Sequence, residues 1–240
     1  MPQAAAFFDL DRTLIRSSSA LALAGSFRRR GLIGRRQLAK AAIWQLVFAA
    51  RGASHETVRK AAEDGLLILR GLPRDEMRAL VAEAIEPTLK PLVYREALEL
   101  VADHRARGEP AYVVSAALQE IVEGIAAALG LDGALGTVCE VAEGRYTGRA
   151  LRAVHAAGKA DVVRVFAEEA EIDLSRSTAY SDSHTDLPFL EAVGHPVAVN
   201  PDRALRRIAA ARGWPVLRFA EPLGGRRRFP RAAAFRRRVA

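Results

Sequence analysis

The chain has 240 residues, half of them apolar, a size that supports a substantial core together with a smaller inserted domain. Its formal net charge is +8, and seven of the excess positive charges are arginines of residues 226–240. The rest of the chain is nearly neutral, which excludes a generally basic nucleic-acid-binding body. We expect residues 226–240 to be a disordered tail in solvent, with an anionic membrane surface as second candidate and no nucleic acid partner.

The cysteine content and the hydropathy pattern both bear on the compartment. Cys139 is the only cysteine, so an internal disulfide is excluded and a reducing compartment is favoured. The amino terminus lacks a signal-peptide pattern because Asp9 and Asp11 interrupt its apolar run. The best candidate for a membrane span, residues 41–50, is well below the roughly 20 apolar residues required. These observations predict a cytoplasmic protein.

The first predicted element is a buried strand that ends in two carboxylates. Residues 7–14 read Phe-Phe-Asp-Leu-Asp-Arg-Thr-Leu, and alternation along a strand sends Asp9 and Asp11 to the same side. Two carboxylates this close repel unless a proton or a cation lies between them, and oxygen ligands suit Mg²⁺. The segment therefore predicts a cation and phosphate site. A turn or a helix cap is the alternative, which Asp-x-Asp alone would favour.

The next stretch, residues 16–89, shows no further polar strand end and predicts an inserted, all-helical cap domain. The chain then returns to a core formed by residues 1–15 and 90–225. The predicted helices of the cap cover 19–30, 35–50, 54–70 and 74–86, and the core continues with a helix over 92–107.

Three later segments repeat the pattern of an apolar strand followed by polar chemistry. Ser115 follows a strand that begins at Ala111 and precedes a helix over 118–129, and Lys159 opens another helix. Alone, each is more typical of a helix cap or a solvated surface residue. The third segment, residues 178–190, carries Asp182 and Asp186. In an open parallel sheet the ligand crevice lies at the carboxyl ends of the strands, so we expect these segments to meet there, in an α/β fold. A hairpin over 138–147 and strands over 195–200 and 215–219 complete the prediction.

The order of these motifs carries a resemblance to a known family. Asp9-Leu-Asp11-Arg-Thr13, Ser115, Lys159 and Ser181-Asp182-x-x-x-Asp186 resemble the four ordered motifs of the haloacid dehalogenase superfamily phosphatases. The match is closest to the phosphoserine-phosphatase-like branch. The resemblance implies a Rossmann-like parallel sheet core with an inserted all-helical cap. It also implies Mg²⁺-dependent hydrolysis of a small phosphorylated substrate through an aspartyl phosphate.

The resemblance implies a role for each catalytic and phosphate-binding motif residue. Asp9 is expected to attack the phosphoester, and Asp11 to protonate the leaving oxygen and later deprotonate the hydrolytic water. Thr13 is expected to position the Asp11 carboxyl and the phosphate. Ser115 and Lys159 are expected to bind phosphoryl oxygens, and Lys159 to neutralise charge during transfer.

The same resemblance implies a Mg²⁺ site. Asp9, Asp182 and the backbone carbonyl of Asp11 are the expected metal ligands. Asp186 is expected to orient the water ligands and Lys159 from outside the coordination sphere. His184 is interpreted as a surface residue rather than a ligand, because Mg²⁺ prefers oxygen.

Two departures from the family pattern concern the substrate. Position 12 is Arg where members often carry Gly or Ser, and Arg12 receives no catalytic role. Ser18 stands where related phosphoserine phosphatases have a Glu that pairs with the substrate ammonium. The overall resemblance favours phosphoserine or another small metabolite, whereas Ser18 favours a bulkier or lipid phosphoester. A fold-retaining, membrane-associated binding protein that uses the cap and the Arg-rich tail is the alternative from another class.

Overall fold

The computed structural model describes residues 2–31, 66–155 and 157–225. A seven-stranded sheet with the order β4-β3-β2-β1-β5-β6-β7 forms its centre. All neighbouring strands pair in parallel except β3 and β4, which form an antiparallel hairpin at one edge. The strands are β1 (Ala6–Asp9), β2 (Ala111–Leu118), β3 (Gly133–Ala142), β4 (Arg145–Arg152), β5 (Thr178–Ser181), β6 (His195–Val199) and β7 (Val216–Leu217).

The helices alternate with the parallel strands, as the connections between parallel strands require. None of the described helices is long and apolar enough to cross a membrane. The helices are α1 (Ser19–Arg29), α2 (Arg74–Ala84), α3 (Arg95–Ala106), α4 (Gln119–Leu129), α5 (Ala157–Glu169), α6 (Leu187–Leu190) and α7 (Arg203–Arg212).

The central strand β1 is apolar throughout because both faces of the sheet are covered. Phe7 and Phe8 are fully buried and belong to separate apolar clusters, as expected for consecutive residues of a strand. Phe8 stacks on Tyr180 with ring centroids 4.4 Å apart. Asp9 is the last residue of β1 and pairs in register with Val114 of β2. The nucleophile candidate therefore stands at the carboxyl edge of the sheet, between its two central neighbours.

The end of the described chain packs where the chain enters and leaves the stretch 16–89. Ile15 and Val93 form an antiparallel bridge. The backbone N–H of Leu223 donates to the Val93 carbonyl, and that of Gly224 donates to the Pro91 carbonyl, both at 2.8 Å. These bonds join the beginning, the middle and the end of the described chain at one place.

The described part of the predicted cap is mainly helical, but residues 68–71 form a turn, so the helix predicted over 54–70 extends too far. Helix α1 matches the prediction for 19–30, and its Leu23 and Phe27 share an apolar cluster with Met77 and Leu80 of α2. Helix α2 ends at Ala84 and continues as a π-helical turn, so it is shorter than predicted. The helix predicted over 35–50, and residues 54–65 of the helix predicted over 54–70, lie outside the described residues. The division into cap and core thus stays a prediction.

Strand β2 is longer than the sequence predicts. The strand continues past Ser115 to Leu118, and its register with β3 shifts between Val114 and Leu118. The Ser115 hydroxyl accepts a hydrogen bond from the Ala117 N–H at 3.1 Å within this irregular stretch. The hairpin of β3 and β4 is likewise longer than the predicted 138–147, because its strands extend well beyond the turn at Glu143-Gly144.

Candidate active site

An ammonium group lies between two carboxylates at the carboxyl edge of the sheet. Lys159 Nζ donates to Asp9 Oδ1 at 2.6 Å and to Asp186 Oδ2 at 2.7 Å. The Lys159 side chain is only 2% exposed, and its Nζ lies 4.7 Å from the centre of the Phe189 ring. Burial excludes competing water, so these charges interact much more strongly than they would at the surface. The structure thus brings together residues from three of the predicted motifs.

The position of Lys159 depends on how closely helix α5 begins beside the preceding chain. The Gly158 N–H donates to the His155 carbonyl at 3.0 Å. A Cβ atom at position 158 would lie 2.8 Å from the Ala153 carbonyl oxygen, closer than real side chains approach. Gly158 therefore permits the close approach that fixes the first turn of α5, and with it the direction from which Lys159 enters the site.

Asp186 is held by a second donor besides Lys159. Strand β5 ends at Ser181, whose fully buried hydroxyl donates to Asp186 Oδ2 at 2.7 Å. A short 3₁₀ turn over His184–Asp186 brings the carboxylate back toward the end of the strand. Asp186 thus accepts hydrogen bonds from two buried groups, which fix its orientation.

The loop that carries Asp182 and Asp186 is anchored by Asp202, the residue before helix α7. Asp202 Oδ2 accepts from the His184 N–H at 2.9 Å and lies 2.8 Å from His184 Nδ1. The Asp202 N–H donates to the Asp182 carbonyl at 2.8 Å. Burial would raise the pKa of Asp202, but hydrogen bonds from His184 and Leu205 hold it below its usual range. His184 is therefore half-exposed and bound to Asp202.

Asp11 does not share the strand geometry of Asp9. Strand β1 ends at Asp9, so the following turn, rather than strand alternation, sets the direction of Asp11. Its Oδ1 accepts from the Ser19 N–H at 2.9 Å, at the start of helix α1. Burial raises the pKa of Asp11, and hydrogen bonds from Ser19 and Ser18 oppose that rise. Strand alternation therefore does not set the direction of Asp11, and its carboxylate contacts the first helix of the predicted cap.

The two predicted hydroxyl ligands of phosphate are both buried. Thr13 is fully buried, and its Oγ1 finds no hydrogen-bond partner among the described residues. A buried hydroxyl without a partner costs free energy, and an anionic acceptor would satisfy it. Ser115 is 3% exposed and follows Val114, the register partner of Asp9. Thr13 lies in the turn that follows β1, and Ser115 lies in the irregular stretch of β2.

Arg12 forms an ion pair that the sequence analysis did not include. Its Nε lies 3.4 Å from Asp182 Oδ2, and its side chain is 68% exposed while that of Asp182 is 8% exposed. The backbone of Arg12 has φ 63°, in the left-handed region that favours glycine. Arg12 thus brings a solvent-exposed cation to a buried carboxylate of the site.

The electrostatics of the site reflect several buried carboxylates around few cations. Burial raises the pKa of Asp9 to about 8, with further contributions from the charges of Asp186 and Asp182. Burial also raises the pKa of Asp182 to about 7, although Arg12 opposes this rise. Burial alone would lower the pKa of Lys159, but the charges of Asp186 and Asp9 raise it above its usual range. The ammonium of Lys159 is therefore charged, and the carboxylates lack sufficient countercharge.

The residues present fit a hard divalent cation. A cation between Asp9 and Asp182 would offset the cost of burying their charges and the repulsion between them, the two causes of their raised pKa values. Within 2–31, 66–155 and 157–225, no group of three His, Cys, Asp or Glu side chains forms a metal cluster. The two carboxylates of Asp9 and Asp182 are an oxygen donor set that suits Mg²⁺, because this ion usually keeps several waters.

Sequence reasoning missed the residues that position the motif side chains. Ser181 and Asp202 act through hydrogen bonds to Asp186 and to the loop at His184, and Arg12 acts through its ion pair with Asp182. Ser181 stood inside a recognised motif, so its place at the strand end was a usable signal. The pairing of Asp202 with a loop 18 positions earlier has no local sequence signal.

Comparisons with known proteins agree with this geometry. Residues 6–191 match the family model of haloacid dehalogenase-like hydrolases. A probable phosphatase of Mycobacterium tuberculosis is 42% identical over 96% of this chain and 80% of its own length. A phosphoserine phosphatase of the same organism is 36% identical over 90% of this chain and 71% of its own length.

A solved structure shows the same fold. The phospho-aspartyl intermediate analogue of a phosphoserine phosphatase superposes with a TM-score of 0.63 at 20% identity, over 93% of this chain and 96% of that one. At this level of identity the likeness concerns the fold, a Rossmann-like core with a cap. Together with the family match and the relatives, it shows that the chain belongs to the haloacid dehalogenase-like hydrolases, in the phosphoserine-phosphatase-like branch, and is a phosphatase.

Proposed function

We propose that the protein hydrolyses a phosphomonoester through an aspartyl phosphate on Asp9, with Mg²⁺ as cofactor. The observation that carries the proposal is the buried Lys159 ammonium bonded to both Asp9 and Asp186. A phosphoryl group that approaches Asp9 would meet this ammonium next to the nucleophilic oxygen. Phosphoryl transfer depends on such positioning and charge compensation.

In the first step, an Asp9 carboxylate oxygen attacks phosphorus and the bond to the leaving oxygen breaks. Asp11 gives its proton to that oxygen, and its raised pKa favours the protonated form that this role requires. In the second step Asp11 accepts a proton from the water that attacks the aspartyl phosphate, which releases inorganic phosphate and restores Asp9. The hydrogen bond from the Ser19 N–H orients Asp11 for both transfers.

The remaining motif residues hold the phosphoryl group. The buried Thr13 and Ser115 hydroxyls would donate to its oxygens, and Lys159 would neutralise charge that builds up during transfer. Asp186 and Ser181 keep the Lys159 side chain in place. When bound by Asp9, Asp182 and the Asp11 carbonyl, Mg²⁺ would supply further positive charge to the phosphoryl oxygens.

The substrate within this class depends on position 18. The relative named phosphoserine phosphatase supports phosphoserine as the substrate. Ser18 offers no carboxylate to a substrate ammonium, and hydrogen bonds from Ser18 and Ser19 instead reach Asp11. The absence of a Glu at this position favours a bulkier or lipid phosphoester as the second candidate. Contact of residues 226–240 with an anionic membrane, and a cytoplasmic location, stay predictions, and those residues lie outside the described part of the chain.

The test is phosphate release from a panel of phosphoserine, sugar phosphates and lysophosphatidic acid, with Mg²⁺ or with EDTA. Asp9→Asn removes the nucleophile with almost no change in shape, so we expect a folded protein without turnover. Asp161→Asn is the matched control, because Asp161 lies in α5 on the surface and pairs with the exposed Arg164. Turnover retained by Asp9→Asn, or unaffected by EDTA, would contradict the proposal, and the preferred ester would decide between the two substrate classes.

A further inference from the structure

Arg12 occupies an unfavourable backbone conformation beside a proposed metal ligand. Its φ of 63° belongs to the left-handed region, where a side chain is strained and glycine is not. The turn that imposes this conformation is closed by hydrogen bonds from Leu14 N–H to the Asp9 carbonyl and from Ile15 N–H to the Leu10 carbonyl. Any residue other than glycine therefore carries a conformational cost at this position, which the surrounding structure has to offset.

The side-chain interaction is with Asp182 alone among the described residues. Arg12 Nε lies 3.4 Å from Asp182 Oδ2, on the solvent side of a carboxylate that is otherwise buried. The other cation of the site, Lys159, donates its hydrogen bonds to Asp9 and Asp186 and none to Asp182. Asp182 thus depends on Arg12 for a direct ion pair.

We propose that Arg12 is a countercharge built into the metal site: it neutralises Asp182 when the cation is absent and weakens the binding of the divalent cation. The inference rests on the proposed function, because it takes Asp182 as a ligand of Mg²⁺. An incoming cation has to compete with the guanidinium for the same carboxylate. If the guanidinium stays nearby, it repels the cation, so both arrangements lower the metal affinity relative to a chain without this charge.

The consequence for the free protein has the opposite sign. Without Arg12, Asp182 would remain a buried carboxylate close to Asp9 and Asp186, with no direct ion partner. Loss of the arginine therefore destabilises the metal-free protein and increases the gain on metal binding. Metal affinity and metal-free stability would change in opposite directions, a combination that a merely structural residue does not produce.

The test measures Mn²⁺ binding to the full chain by electron paramagnetic resonance of the free ion, with Mg²⁺ as competitor. We expect Arg12→Gln to lower the Mn²⁺ dissociation constant about two- to fivefold, which corresponds to the strength of a partly exposed ion pair. The midpoint of thermal unfolding in EDTA should fall, and its increase on addition of Mg²⁺ should be larger than in the wild type. Arg12→Gly tests the same loss of charge in a variant that the left-handed backbone accommodates.

Two controls separate the ion pair from a general effect of charge. Arg16→Gln removes the same charge from the exposed end of the same turn, and Arg16 forms no salt bridge among the described residues. Arg12→Lys keeps the charge at position 12. Both variants should bind Mn²⁺ within about twofold of the wild type.

The outcomes distinguish the inference from the function on which it rests. A wild-type chain that binds neither Mn²⁺ nor Mg²⁺ would refute the proposed metal site and the role of Arg12 with it. Binding by the wild type, together with an unchanged or higher dissociation constant in Arg12→Gln and Arg12→Gly, would refute only the role of Arg12. Equal tightening in Arg16→Gln would assign the effect to the overall charge and would also overturn the inference.

Discussion

Replacement of Lys159 by methionine is the most direct test of the buried charge cluster. The variant keeps the length and the apolar stem of the side chain but removes the ammonium. Asp9 and Asp186 then lose a partner that contacts them at 2.6 and 2.7 Å in a place where the lysine is only 2% exposed. Removal of one partner from a buried ion pair costs about 3–5 kcal/mol, because an uncompensated charge stays behind. We expect a loss of this size in the free energy of unfolding.

The chain contains a matched control for this variant. Lys90 pairs with Glu86 at 2.8 Å, but the two side chains are 40% and 69% exposed. An exposed pair at this spacing contributes only about 0.3–0.5 kcal/mol, so Lys90→Met should be nearly neutral. The N–O distances are similar, so the difference between the variants reflects the burial of Lys159 and its second carboxylate partner.

The assay is urea unfolding followed by circular dichroism, in EDTA at neutral pH. A second variant, Lys159→Met with Asp186→Asn, removes one of the uncompensated carboxylates and should recover part of the lost stability. The reasoning would be refuted if Lys159→Met cost no more than Lys90→Met, or if the double variant were no more stable than Lys159→Met alone.

Three further predictions concern His104 in the core and two residues that position the site. Burial lowers the pKa of His104 in the folded protein below the usual histidine value of 6.5. As the pH falls through 6.5, His104 therefore takes up its proton in the unfolded chain before it does so in the folded one. Stability should therefore fall as the pH drops from about 7.5 to about 5.5, and less so in His104→Gln, measured by urea unfolding. Gly158→Ala should lower kcat about tenfold or more, because the new methyl group would displace the first turn of α5; wild-type kcat would contradict this. Asp202→Ala should raise the Mg²⁺ concentration for half-maximal activity about tenfold, since the loop at His184 loses its anchor. An unchanged Mg²⁺ requirement would show that the loop holds its shape without this carboxylate.

The parts of the fold that the sequence predicts are those with strong local signals. Strand β1 and helix α4 are recognisable because each apolar run has the length and the period of its element. Asp9 and Asp182 could be assigned to one edge because β1 and β5 are parallel neighbours, whose carboxyl ends lie together. Lys159 follows the antiparallel strand β4, so this rule does not account for its place at the same edge. Strand alternation does not apply to Asp11, because β1 ends at Asp9.

The parts that the sequence does not predict depend on contacts between distant residues. In the sequence, Asp202 is typical of a helix cap, and its Oδ1 does accept from the Leu205 N–H. Its Oδ2 accepts from the His184 N–H and so holds the loop, a contact that the sequence does not indicate. Arg12 reads as a solvated side chain because its partner follows 170 positions later. The extension of β2 past Ser115 follows from pairing with β3, which overrides the local preference for a turn. Such choices are decided by tertiary packing.

The central position of β1 has a consequence for the synthesis of the protein. Residues 6–9 leave the ribosome well before their sheet partners, residues 111–114 and 178–180. At the usual rate of translation, the second partner follows the first strand only after on the order of ten seconds or more. During this time the segment Ala-Phe-Phe is an apolar strand with both edges unpaired, a form that invites aggregation. The segment that carries the proposed nucleophile thus stays without its sheet partners for much of the time in which the chain is made.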